Sequence, residues 1–144
     1  MAFRHVRITL VTLCTKDKKH ILSDFVGEGL RTLPKIQLTS IGIIVNEAIN
    51  YINKNYSYYC VENYVIMPNH IHLLISITGG REDPPLRIYD VIGRLKSFTT
   101  KEYGSGLWQR SFYDHVVRNK QDYDEIYKYI CENPMRWKDD KFHI

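Results

Sequence analysis

The chain has no CxxC pair, no apolar run long enough to cross a bilayer, no internal repeat, no low-complexity tract and no interdomain linker. Its three cysteines, Cys14, Cys60 and Cys131, are an odd number scattered along 144 residues. Neither a disulfide framework nor a cysteine-rich zinc site fits that spacing, and a reducing, cytoplasmic setting is the expected one. The apolar stretch Ile8 to Cys14 is short, broken by threonines and followed by the charged turn Lys16 to Lys19. Neither export nor a membrane span is therefore expected. Lacking linkers and repeats, residues 1–144 read as one domain, with 44% hydrophobic residues to build its core. The net charge of +4 suits a polyanionic partner without demanding one.

What is present is an ordered alternation of strand and helix patterns. Val6 to Thr15 alternates and is rich in Val, Ile, Leu and Thr, which predicts a first strand. Ile41, Ile44, Val45, Ala48, Ile49 and Ile52 recur at helical spacing behind Ser40, a candidate cap. Ser57 to Met67 and His70 to Ile77 predict two strands joined at Pro68-Asn69. After the breaker-rich loop Gly79 to Pro85, Ile88, Val91, Ile92, Leu95 and Phe98 predict a second helix. A weaker strand, Phe112 to Arg118, precedes a last helix capped by Asp122 and stopped at Asn133-Pro134. The order β-α-β-β-α-β-α predicts an α+β, ferredoxin-like sheet with an added C-terminal helix.

The chemistry concentrates at Val65 to Ile75, "VIMPNHIHLLI". Side chains alternate along a strand, so Ile71, Leu73, Ile75 and Ile77 share one face and His70, His72 and Leu74 the other. If the helices cover the isoleucine face, both imidazoles stand on an open surface, spaced to reach one ion. The alternative is a pair of ordinary, half-exposed strand histidines. A histidine-triad nucleotide hydrolase would need a third histidine at the next alternate position, which is Leu74.

"VIMPNHIHLLI" resembles the histidine-hydrophobe-histidine motif of the HUH single-stranded DNA nucleases, in the form carried by the IS200-like and REP-associated tyrosine transposases. Leu107 to Asn119, "LWQRSFYDHVVRN", and Tyr127 to Trp137, "YKYICENPMRW", resemble two further blocks of the same family. The likeness runs from "ITLVTLCTKDKKHIL" to Trp137 in matching order. It implies a nicking and rejoining transposase acting on single-stranded DNA with a hairpin or repeat sequence, through a 5′-phosphotyrosine intermediate. It also implies a divalent ion, Mg²⁺ or Mn²⁺, held by His70, His72 and Asn133. Family members include monomers and dimers, and a homodimer is the expected assembly. A domesticated relative that kept nucleic-acid binding on this fold and lost cleavage is the competing reading.

Composition cannot choose a nucleophile among eleven tyrosines. The resemblance selects Tyr129, and helical geometry agrees with it, because Tyr129 and Asn133 are four apart and project from one face. Asn133 also suits a helix C-cap. Tyr113 is the rival, since the weak strand could turn it toward the same surface. Tyr123 and Tyr127 read as packing, as do Tyr51, Tyr56, Tyr58, Tyr59 and Tyr64 unless they stack on DNA. A phenol with a pKa near ~10 attacks phosphorus only when its phenolate is stabilised, which a nearby divalent ion promotes. For gripping DNA the candidates are Arg87, Arg94, Lys96 and Lys101 of the second helix, together with Trp108, Gln109 and Arg110. Each also has a plain reading, as a solvated helix face or, for Trp108, as packing under its loop.

Overall fold

A computed structural model describes residues 6–26, 35–78 and 88–139. The predicted loop Gly79 to Pro85 and Arg87 lie outside these residues. The elements are β1 (Val6–Cys14), β2 (Ser23–Val26), β3 (Lys35–Leu38), α1 (Ser40–Asn55), β4 (Tyr59–Ile66), β5 (His70–Thr78), α2 (Ile88–Tyr103), β6 (Tyr113–Val116) and α3 (Lys120–Glu132). Four strands form one sheet in the order β4-β5-β1-β6, with every neighbouring pair antiparallel. This is the ferredoxin-like α+β arrangement. The sequence reading missed the β2–β3 hairpin, which forms a separate two-stranded sheet between β1 and α1. Four-residue strands are too short to carry a periodic signal.

α1 and α2 cover one face. Val45, Ala48, Ile49 and Ile52 of α1 and Val91, Ile92 and Leu95 of α2 pack on Ile71, Leu73, Ile75 and Ile77 of β5, with Val11 and Leu13 of β1. The helix-facing side of β5 is therefore the isoleucine side, as its alternation predicts. The cap of α1 is Thr39, not Ser40. Its hydroxyl accepts the N–H of Gly42 and donates to the carbonyl of Ile21 or Leu22, fastening the helix start to the segment after β1. Gly42 permits that approach, since a Cβ there would stand 2.0 Å from the Leu22 carbonyl oxygen.

The second face is not open. α3 lies across it, with Ile126 and Ile130 packed on Ile8 and Leu74 and flanked by Leu10, Val65, Val117 and Tyr123. The strand pattern alone cannot reveal this, because the covering residues belong to a helix some fifty positions later in the chain. α3 begins earlier than predicted. Asn119 is the cap, its side chain accepting the N–H of Asp122, whereas the α-helix ends at Glu132, just before Asn133-Pro134 as predicted, and the chain goes on as a 3-10 helix, Asn133–Asp139. Asn133 closes α3 as its C-cap, with a right-handed backbone and its N–H donating to the Ile130 carbonyl, and Pro134 has no N–H to continue an α-helical ladder.

Candidate active site

The register of β1 against β5 places Thr12 opposite His72 and Cys14 opposite His70. Opposed residues share a face, so Thr12 and His72 meet, and the Thr12 hydroxyl lies 2.8 Å from His72 Nδ1. His70 is held differently. In the turn just before it, Asn69 Oδ1 accepts from His70 Nδ1 at 2.7 Å. The Asn69 carbonyl in turn accepts the N–H and the hydroxyl of Thr15, which ties this turn to the end of β1. The two imidazole centroids are 4.7 Å apart. Both rings are buried, His70 at 0% and His72 at 1% exposure, which corrects the expectation that they stand on an open surface and equally the alternative that they are ordinary half-exposed strand histidines. α3 lays the Tyr129 ring against His72, whose other neighbour is His70.

α3 brings Tyr129 to this place. Ile126 and Ile130 seat the helix on Ile8 and Leu74, which turns the neighbouring Tyr129 toward β5. The Tyr129 hydroxyl is 3.5 Å from His72 Nε2, with ring centroids 5.2 Å apart. One helical turn on, Asn133 is buried at 1% exposure, and among the described residues neither Oδ1 nor Nδ2 of its amide has a hydrogen-bond partner. A buried amide left unpaired costs about 1–3 kcal/mol per group, so such a side chain calls for a ligand. With Nδ1 of each histidine engaged by Asn69 or Thr12, the nitrogen that would ligate an ion is Nε2 in both rings. No cluster of three His, Cys, Asp or Glu occurs among the described residues, so an ion here would need the Asn133 amide. The donor set of two imidazoles and one amide oxygen suits a divalent cation.

Thr12 and Asn69 are the site residues that sequence reasoning missed. Asn69 lies beside the motif and could have been suspected, whereas Thr12 becomes visible only through strand register. Tyr113, the rival nucleophile, sits opposite Thr12 on its other side and so shares the histidine face. It is one strand beyond, on the sheet edge, and 57% exposed. Tyr123 donates to Glu62 of β4 at 2.7 Å, and burial first, with that bond second, raises its pKa above the ordinary phenol range. Tyr127 is exposed rather than packed inward.

The suggested DNA-gripping residues divide between α2 and the loop before β6, which pairs with the end of β1. Arg94 projects from α2, stacks 4.5 Å from the centre of the Tyr56 ring and donates to its hydroxyl. Lys96 donates to the carbonyls of Gln109 and Arg110, and burial lowers its pKa. Trp108 is buried under its loop, its indole N–H donating to Thr99. Gln109 donates its backbone N–H to Cys14, and Arg110 is exposed. Lys96, Trp108 and Gln109 thus fasten the loop before β6 to α2 and β1.

Comparison with known proteins agrees with this architecture. An uncharacterized protein of Haemophilus influenzae is 25% identical over 164 aligned positions, covering 99% of this chain and 88% of that one. The REP-associated tyrosine transposase of Escherichia coli is 29% identical over 76 residues, 53% of this chain and 44% of its own. A solved structure of a REP-associated tyrosine transposase bound to a REP hairpin superposes with a TM-score of 0.64 at 21% identity, covering 90% of this chain and 67% of that one. The family model for IS200-like transposases matches residues 5–133. The chain belongs to the IS200-like transposase family.

Proposed function

We propose that this protein, acting as a single domain, nicks and rejoins single-stranded DNA through Tyr129, with a divalent ion held by His70, His72 and Asn133. The observation that carries the reading is the approach of the Tyr129 hydroxyl to His72 Nε2 at 3.5 Å, with the buried Asn133 amide, unpartnered among the described residues, four positions further along the chain. The phenolate oxygen of Tyr129 attacks phosphorus, the bond to the 3′ oxygen breaks, and that oxygen leaves as a 3′-hydroxyl after taking a proton. The product is a 5′-phosphotyrosine, and attack by a 3′-hydroxyl reverses the step. When bound, a Mg²⁺ or Mn²⁺ ion would polarise the scissile phosphate and offset its developing charge. Thr12 and Asn69 hold the imidazoles in orientation, and Ile126 and Ile130 hold the tyrosine.

A DNA hairpin or dispersed repeat is the natural substrate, because one solved relative is bound to a REP hairpin. No described helix is long and apolar enough to cross a membrane, and a cytoplasmic place beside DNA suits the reading. Arg94 and Arg110 are available to phosphates, while Lys96, Trp108 and Gln109 shape the loop behind them. A homodimer is the proposed assembly.

The test is incubation with a library of single-stranded oligonucleotides and Mg²⁺ or Mn²⁺, with an EDTA control, followed by peptide mass spectrometry of the trapped adduct. A nucleotide remnant on Tyr129 and loss of cutting in Tyr129→Phe are expected. A remnant on Tyr113, or cutting that persists in EDTA, would overturn the nucleophile or the metal. Binding without cutting under every condition would favour the noncatalytic alternative.

A further inference from the structure

The turn after β1, "KDKKH", has no role in the chemistry above, yet it sits against the candidate site. β1 ends at Cys14, the register partner of His70. Lys16 is two positions further on, roughly 7 Å along the strand direction. Thr15 donates both its N–H and its hydroxyl to the carbonyl of Asn69, the residue next to His70. The basic turn therefore leaves the sheet at the histidine end.

Two features distinguish it from an ordinary solvated loop. Its backbone is held in an unfavourable shape, with Asp17 at φ 57° and Lys18 at φ 52°. Asp tolerates this left-handed region, but lysine seldom adopts it. Backbone strain of this kind persists only where the surroundings over-determine it, and it gathers at functional positions. The surroundings here do over-determine it. Lys16 N–H donates to Leu107, Lys18 N–H to Thr15, Lys19 N–H to Lys16 and Ile21 N–H to Lys19. Second, Lys16 and Lys19 are exposed and Lys18 half-exposed, and among the described residues none of the three forms an ion pair. Asp17 is the acidic member of the turn, so the turn is net cationic.

We propose that Lys16, Lys18 and Lys19 form a rigid phosphate-binding turn that grips the sugar–phosphate backbone of the nucleic acid beside the scissile position. The proposal rests on the single-stranded DNA reading given above. A turn held in shape before binding loses little backbone entropy on contact, and three ammonium groups recognise phosphates without reading bases.

The experiment is fluorescence anisotropy with a labelled single-stranded oligonucleotide over a series of salt concentrations. It compares the intact protein, the triple variant Lys16→Gln/Lys18→Gln/Lys19→Gln, and Lys54→Gln on the last turn of α1 as a control. Releasing three phosphate contacts from a single strand should flatten the slope of log K against log salt by about two units. Lys54→Gln should leave the slope unchanged. Circular dichroism melting of each variant separates lost binding from lost folding, and single lysine substitutions, each flattening the slope by about 0.7, replace the triple variant if it unfolds. An unchanged slope in folded variants overturns the phosphate-binding turn. A protein whose intact form fails to bind single-stranded DNA overturns the reading beneath it.

Discussion

The hydroxyl of Thr12 and Nδ1 of His72 lie 2.8 Å apart across two neighbouring strands, inside the protein. When Nε2 is the ligating nitrogen, the proton must sit on Nδ1, and the threonine oxygen is placed to accept it. Removing the hydroxyl while keeping the side-chain shape, as in Thr12→Val, should weaken Mn²⁺ binding by roughly 10- to 100-fold, the usual effect of deleting a partner behind a metal ligand. Thr12→Ser should restore most of the affinity. Isothermal titration with Mn²⁺ measures both, and equal affinity in Thr12→Val and the intact protein would remove Thr12 from the site.

His70→Ala and His72→Ala should each abolish cleavage. An open-face position would leave stability untouched, but both rings are buried, so each truncation also opens a cavity beneath α3. A loss on the order of 1–3 kcal/mol follows from emptying such a site. Urea denaturation in EDTA should record that loss without metal. Full activity in either variant would dismiss the paired-histidine site.

At Gly42 a single methyl group should be poorly tolerated. A Cβ would stand 2.0 Å from the Leu22 carbonyl oxygen, a backbone atom that cannot swing aside. Gly42→Ala should therefore cost roughly 1–3 kcal/mol despite the better helix propensity of alanine. The midpoint of urea unfolding reports it, and a stabilised variant would mean that α1 does not approach this backbone.

Asp122 supplies a pH-dependent prediction for α3. Its carboxylate accepts the Arg118 N–H at 3.1 Å and pairs with His115 at 3.0 Å, and these two contacts lower its pKa, the backbone bond foremost. A carboxyl group depressed on folding stabilises the protein above its unfolded value, near ~3.9, and that contribution fades as pH falls through the folded value. The melting temperature of Asp122→Asn should thus lie below that of the intact protein at pH 7, with the gap closing toward pH 3. A gap that widens on acidification would contradict the sign.

The strand and helix order was legible because its carriers are periodic. Ile71, Leu73, Ile75 and Ile77 announce a strand with one buried face, and Val91, Ile92 and Leu95 announce a helix that meets it. Caps were legible only approximately. Thr39 rather than Ser40, and Asn119 rather than Asp122, close their helices, because several neighbouring residues are chemically able to cap and the exact chain reversal chooses among them. The hairpin Ser23–Val26 with Lys35–Leu38 escaped because each strand is too short for a pattern.

By itself the sequence determined the alternation that puts His70 and His72 on one face of β5, the four-residue offset that puts Tyr129 and Asn133 on one face of a helix, and the family likeness. The first two are local regularities, fixed by backbone periodicity within a dozen residues, and the likeness rests on motif blocks spread along the chain. Only the tertiary structure decided that the histidine face is buried, that Tyr129 stands at His72, that Thr12 backs that ring, and that Lys16 begins its turn beside His70. These depend on where α3 docks and on how β1 registers against β5. Both are set by packing between segments roughly sixty residues apart, a distance over which side-chain periodicity carries no positional information.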